Sequence, residues 1–107
     1  MIVYFYKISL KTDPTQFYIG STTSLSRRKC HHKKNVRNKV GKLYRCKLYE
    51  FIRANGGWDN FTFEKIYEND FTIKTSYMQY EQDLIDTHKP PLNTNRVLKL
   101  LKEKTPI

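Results

Sequence analysis

The chain has 107 residues, a length that fits one compact domain. Hydrophobic residues make up 38% and aromatics 14%, enough for a modest core, and the eight Tyr, six Phe and one Trp lie along the whole chain, which excludes a disordered tail. Twenty Lys and Arg against ten Asp and Glu give a net charge of +10, and the excess sits in one half: residues 1–54 hold 13 Lys/Arg and two acids, Asp13 and Glu50, whereas residues 55–107 hold seven and eight.

Between residues 27 and 47 ten of 21 side chains are Lys or Arg and none is acidic. Such a block attracts a polyanion and releases its condensed counterions on docking. A merely solvated face is the usual meaning of a charge run. This one is single-signed and interleaved with His, Tyr and Leu, which favours nucleic acid, with Arg27, Lys29, Lys33, Lys34, Arg37, Lys42 and Arg45 as the contacting side chains. The apolar stretch at residues 2–6 ends at Lys7, far too short for a signal segment or a membrane span. A soluble intracellular protein, cytoplasmic or nuclear, is expected, with no membrane partner. Cys30 and Cys46 make no disulfide framework and are expected to be reduced.

In chain order, residues 2–8 form a β-branched and aromatic run that predicts a strand. Lys11-Thr12-Asp13-Pro14-Thr15 reads as a turn and residues 16–20 as a second strand, giving an antiparallel hairpin. Ser24 is a candidate N-cap for a helix running to about Asn35. A second helix is predicted over residues 42–54, burying Tyr44, Leu48, Phe51 and Ile52, with Asn55-Gly56-Gly57 ending it in the left-handed region. A third strand covers residues 61–67 and a third helix residues 74–87, stopped by Lys89-Pro90-Pro91. A short amphipathic tail helix is expected at residues 97–102. The order predicts an α+β (α/β) domain, a small three-stranded antiparallel sheet flanked by helices.

Two helices carry polar groups where hydrophobes belong. At 100° per residue, Leu25, Arg28, His32 and Val36 share one face of the first helix, and Arg27 and His31 rotate away from it. A core has no need of a guanidinium and an imidazole there, whereas a phosphate pocket does. The bland alternative is a solvated basic rod. In the third helix Glu81 sits amid Tyr77, Met78, Leu84 and Ile85, while Gln82, Asp83 and Asp86 point to solvent. A carboxylate on a buried face is costly unless paired or bound to a metal, so Glu81 is either a metal ligand or the partner of Arg28 in an ion pair. Tyr4 and Tyr6 share one face of the first strand, and Tyr18 faces them. Tyr6 and Tyr18 beside Arg28, His32 and Glu81 would supply proton acceptors, a cation for developing phosphorane charge and a metal ligand.

With Phe17-Tyr18-Ile19-Gly20-Ser21, a modified Tyr4-Phe5-Tyr6-Lys7-Ile8, the Arg28/His32 pair, Ala54-Asn55-Gly56-Gly57 before Phe61-Thr62-Phe63, Tyr80-Glu81-Gln82 and Pro90-Pro91-Leu92-Asn93, all in order, the chain resembles the GIY-YIG endonucleases over about residues 2–95. The resemblance implies a nuclease domain at residues 1–95 with a short tail at 96–107. It implies Tyr6 as general base toward water, Tyr18 orienting that water or the phosphate, Arg28 stabilising the transition state, and His32 hydrogen-bonding within the site and assisting proton transfer. Glu81 would bind a single Mg²⁺ or Mn²⁺, Asn93 would brace the site, and Gly20 would serve as a structural turn. The product would be a nick in duplex or branched DNA with 5′-phosphate and 3′-hydroxyl ends. An Asx-turn after the prolines is the other reading of Asn93.

Tyr4 stands where the family has glycine, and Phe5 where it has isoleucine. The alternative function is therefore a catalytically inactive nucleic-acid-binding module on the same fold, with salt-sensitive binding and no metal-dependent cleavage. A zinc site from Cys30, His31, His32 and Cys46 is a further reading, weakened by the lack of a Cys-x-x-Cys pair. Specificity would come from the basic helices, a homodimer or a separate partner.

Overall fold

The structure, a computed structural model, describes residues 1–41, 43–72 and 74–93, with Lys74 and Thr75 described by backbone alone. The tail helix expected at residues 97–102, the 96–107 tail and Lys42 lie outside the described residues.

Strand β1 spans Ile2–Leu10 and β2 spans Asp13–Thr22. Helix α1 covers Leu25–Arg37 and α2 covers Lys47–Ala54. After a 3-10 turn at Trp58–Asn60 come β3 over Phe61–Asp70 and α3 over Lys74–His88. The sheet is antiparallel, with order β2-β1-β3. Among the described residues no helix is long and apolar enough to cross a membrane.

The hairpin turns earlier than the sequence suggests. Leu10 pairs with Asp13, so Lys11 and Thr12 alone make the turn. Asp13, Pro14 and Thr15 belong to β2, where the register shifts between Ser9 and Leu10. Their turn chemistry is spent on that irregularity: the Asp13 carboxylate accepts from the Thr15 N–H at 3.2 Å and the Thr15 hydroxyl at 2.5 Å. Pro14 is tolerated because β2 is an edge strand, where a missing N–H costs no ladder bond.

Phe5 and Tyr6 are both 0% exposed although their side chains point to opposite faces. Only a sheet covered on both sides allows this. On one face Tyr6, Ile8 and Leu10 pack with Val36 of α1, Leu48, Tyr49 and Ile52 of α2, and Trp58, Phe61 and Leu92. On the other, Phe5 meets Tyr80 of α3 at 5.0 Å between ring centroids and Phe71 at 5.9 Å, and Tyr80 stacks on Tyr67 at 4.9 Å.

Helix α2 begins five residues later than expected, because residues 43–45 form a turn instead. The guanidinium of Arg53 holds that turn: it donates to the carbonyls of Val36 (3.0 Å) and Tyr44 and lies 3.6 Å over the Tyr44 ring. Leu48 and Ile52 are buried as expected, Tyr44 and Phe51 only half so, and Tyr49 joins the core unannounced. At the end of α2, Gly56 and Gly57 take positive φ of 93° while Asn55 stays at −114°. The left-handed pair is therefore the two glycines, and the Gly57 N–H closes the helix on Ile52 O at 2.9 Å.

In α3 the expected solvated Gln82 is instead 1% exposed. Four residues after Met78 and three before Ile85, it lies on their face. Burial is tolerable because its amide donates to Asp86 at 2.9 Å. The helix ends where Lys89 adopts φ 49° before Pro90.

Candidate active site

The site starts from strand register. Tyr6 pairs with Gly20, and Tyr18 with Ile8, so both tyrosines lie on the α1 side of the sheet, ring centroids 6.3 Å apart. Gly20, expected from the sequence as a structural turn, is not a turn residue. It lies inside β2 with no positive φ. Its role is space: a Cβ there would stand 2.5 Å from the Tyr6 hydroxyl oxygen and 2.6 Å from Cζ. Glycine thus lets the Tyr6 ring cross β2.

Helix α1 sets the second wall. Ser24 caps it, its side chain accepting from the Arg27 N–H. The face holding Leu25, Arg28, His32 and Val36 turns inward, with His32 3% exposed and Arg28 half-buried, whereas Arg27 and His31 are exposed. Both imidazole nitrogens are engaged: Nε2 lies 2.7 Å from the Tyr6 hydroxyl and Nδ1 2.7 Å from the Tyr49 hydroxyl. Asn35 donates to the same Tyr49 oxygen at 3.4 Å.

Helix α3 supplies the third wall from the opposite face. Ser21, which pairs with Phe5, donates its hydroxyl to Glu81 Oε1. Glu81 and Arg28 form no ion pair, so that reading of the buried carboxylate fails. Both instead line one open cleft of about 250 Å³ with Tyr6, Tyr18, Ser21, Tyr77 and Met78. Tyr4, half-buried, is not among its lining residues.

The last segment fastens the edge. Asn93 Oδ1 accepts from the Ile19 N–H at 2.9 Å and Nδ2 donates to the Ile19 carbonyl at 2.8 Å. The Leu92 N–H adds a bond to Phe17 O at 3.1 Å. The Asn93 side chain thus acts like one more strand residue beside β2.

Burial dominates the electrostatics. It pushes the Tyr6 phenol well above its ordinary value, reinforced by Tyr18 and opposed by Arg28. Tyr18 is raised to about 12 by burial and Glu81, with Arg28 and the neighbouring Tyr6 phenol pulling the other way. Burial, then Arg28 and His31, lower His32 from 6.5 to about 4, so it is neutral. Burial raises Glu81, and the Ser21 hydroxyl and Arg28 oppose it.

Among the described residues no group of three or more His, Cys, Asp or Glu could hold a metal. The zinc reading fails with it, since both His32 nitrogens face tyrosines and Cys30 is exposed. Glu81, in no salt bridge among the described residues and with its pKa lowered only by the Ser21 hydroxyl and the charge of Arg28, is a single carboxylate, so a hard cation held there would take most of its shell from water.

Of the expected nucleic-acid contacts, Arg27, Lys33, Lys34 and Arg37 line a groove of about 850 Å³ along α1 together with His31. Lys29 and Arg45 are exposed outside that groove. Sequence reasoning missed Ser21, Tyr49 and Asn35. Asn35 stands three residues beyond His32, and the Leu48-Tyr49-Ile52 spacing was the available signal for Tyr49.

No curated protein and no solved structure matches the chain. Residues 2–95 match the family described as the GIY-YIG catalytic domain. With that match spanning nearly the whole chain, and the two tyrosines, Arg28, His32 and Glu81 gathered around one sheet edge, the chain belongs to the GIY-YIG family of nucleases.

Proposed function

We propose that the chain hydrolyses phosphodiester bonds in DNA, nicking one strand to leave 5′-phosphate and 3′-hydroxyl ends, with one divalent cation at Glu81. The supporting observation is the cleft itself: a guanidinium, two phenols and a carboxylate face one small open space without neutralising one another.

In this reading Arg28 holds a non-bridging phosphate oxygen and meets the charge that grows on phosphorus, a kind of stabilisation that is usually the largest single contribution. Water attacks phosphorus opposite the 3′ oxygen, and its proton passes to Tyr6, which has first given its own proton to solvent, the charge of Arg28 favouring the phenolate. Tyr18, its ring 6.3 Å from that of Tyr6, orients the water or the phosphate. The 3′ oxygen leaves and takes a proton from solvent. Ser21 occupies Oε1 of Glu81 and leaves Oε2 to Mg²⁺ or Mn²⁺. When bound, that ion would add Lewis-acid charge beside the scissile phosphate. The basic side chains along α1 would carry the neighbouring phosphates, with affinity falling steeply as salt rises.

The inactive binding module loses its main support, because Tyr4 does not line the cleft. The test is relaxation of supercoiled plasmid with Mg²⁺, with Mn²⁺ and with chelator, alongside Glu81→Ala. Nicked circles only with metal and only with Glu81 are expected. Intact plasmid and intact branched substrates, with retardation at low salt, would overturn the enzyme reading in favour of the binding module.

A further inference from the structure

Behind the cleft lies a row of polar groups of which the proposed chemistry uses only the last. It runs from Asn35 on α1 to Tyr49 on α2, back to His32 and on to Tyr6. Tyr49 is 5% exposed and His32 3%, so solvent does not serve their hydrogen bonds. Each contact must be satisfied within the row, and this fixes its direction.

The first group decides the rest. An amide nitrogen only donates, so Asn35 Nδ2 gives a proton to the Tyr49 oxygen. The Tyr49 hydroxyl then gives its own proton to His32 Nδ1, 2.7 Å away. A neutral imidazole carries one proton. With Nδ1 accepting, that proton is on Nε2 and is donated to the Tyr6 oxygen at 2.7 Å. The Tyr6 oxygen thus receives a hydrogen bond from His32, and its own proton is the one left over, facing the cleft that Tyr6 lines with Tyr18.

We propose that Asn35 and Tyr49 are positioning residues that place the His32 proton on Nε2 and so turn the accepting end of the row toward the cleft. Ionising Tyr6 then leaves every hydrogen bond behind it intact. Run in reverse, the row has Tyr6 donating to His32 Nε2 and His32 Nδ1 donating to Tyr49. The Tyr6 proton then points inward, and removing it strips His32 of a donor. The step moves one proton from water to Tyr6 and returns it to solvent after release, so no oxidant or co-reactant is involved.

The consequence for rate rests on the proposed nuclease reading, but the proton's position does not, and the two are tested apart. The chain has three histidines, His31, His32 and His88. With His31→Gln and His88→Gln in place, ¹⁵N long-range NMR at pH 8 reads the His32 tautomer alone. A proton on Nε2 is expected in that chain. Asn35→Asp replaces the donor by an acceptor, so the Tyr49 proton turns away and the His32 proton moves to Nδ1. Tyr49→Phe removes the constraint and gives both tautomers. Nicking under single-turnover conditions, with enzyme saturating for each chain so that the weaker DNA grip of a carboxylate in the α1 groove does not enter, should fall about tenfold in Asn35→Asp, at the low end of general-base effects. A proton on Nδ1 in the starting chain, whose two substitutions are both at exposed positions, would overturn the proposal. So would an unchanged tautomer in Asn35→Asp. Loss of nicking in every chain with the tautomers as expected would instead refute the nuclease reading alone.

Discussion

The two edge strands of this sheet are treated in opposite ways. The outer edge of β2 is covered: Asn93 and Leu92 bond to Ile19 and Phe17, and Tyr6, Tyr18, Ser21, Arg28 and Glu81 gather around it. Among the described residues no strand pairs with the outer edge of β3, where Ile66 is 39% and Tyr67 38% exposed. It is blunted by a register shift opposite Phe5 and Tyr6 and by the surface pair Lys65–Glu68. One edge is held rigid because chemistry needs its atoms in place. The other only has to avoid a partner strand.

If that contrast is right, damage should be steeply graded between the edges. Glu81→Ala comes first: cleavage is lost altogether while circular dichroism and DNA retardation stay near the parent. Next, Arg28→Ala should lower the nicking rate by roughly 10²–10³-fold, as removal of one charge-stabilising donor does elsewhere. Arg27→Ala, exposed one residue away, should cost only affinity. Equal rates in the two variants would mean the wrong arginine faces the cleft.

Acid should act on the same edge. The folded-state value of His32 is depressed from 6.5 to about 4, so below 6.5 the unfolded chain binds a proton that the folded chain refuses. Its contribution is complete above pH 6.5 and is lost as pH falls through 4, a change on the order of 3 kcal/mol. Melting curves from pH 7 to pH 4 should show this loss, and His32→Gln should flatten it. A smaller effect is expected from Gly20→Ala, which drives a methyl against the Tyr6 phenol and should cost about 1–3 kcal/mol by overpacking. Glu68→Ala on the β3 edge should change stability by less than about 0.5 kcal/mol. A larger loss there would erase the contrast.

Much of this was legible in the sequence, and the failures share a cause. Local signals worked: Ser24 caps α1, and the face of Arg28 and His32 turns inward while Arg27 and His31 do not. The double glycine ends α2, and the sheet has the expected three antiparallel strands. What failed depended on partners far away in the chain. Asp13-Pro14-Thr15 has turn chemistry, but only the pairing with Leu10 reveals that it serves a strand irregularity. Gly20 looks like a turn residue until the Tyr6 ring lies across it. Gln82 looks solvated until the sheet covers its face. Tyr49 and Asn35 meet only because α2 folds back on α1, and Asn93 reaches Ile19 across 74 positions. Periodicity reports which way a side chain points on its own element and nothing about what it will meet.

Because Phe5 and Tyr6 are buried on opposite faces, the sheet is the middle of a three-layer stack, and the site draws on both outer layers. The layers emerge from the ribosome at different times. Tyr6, Tyr18, Arg28 and His32 lie within the first 32 residues, whereas Glu81 waits for α3 and Asn93 for the segment beyond it. On the proposed chemistry, a nascent chain that has already made its strongly basic half can grip a polyanion but cannot cut one. On that chemistry, cutting waits until α3 has brought Glu81 to Ser21 on the sheet.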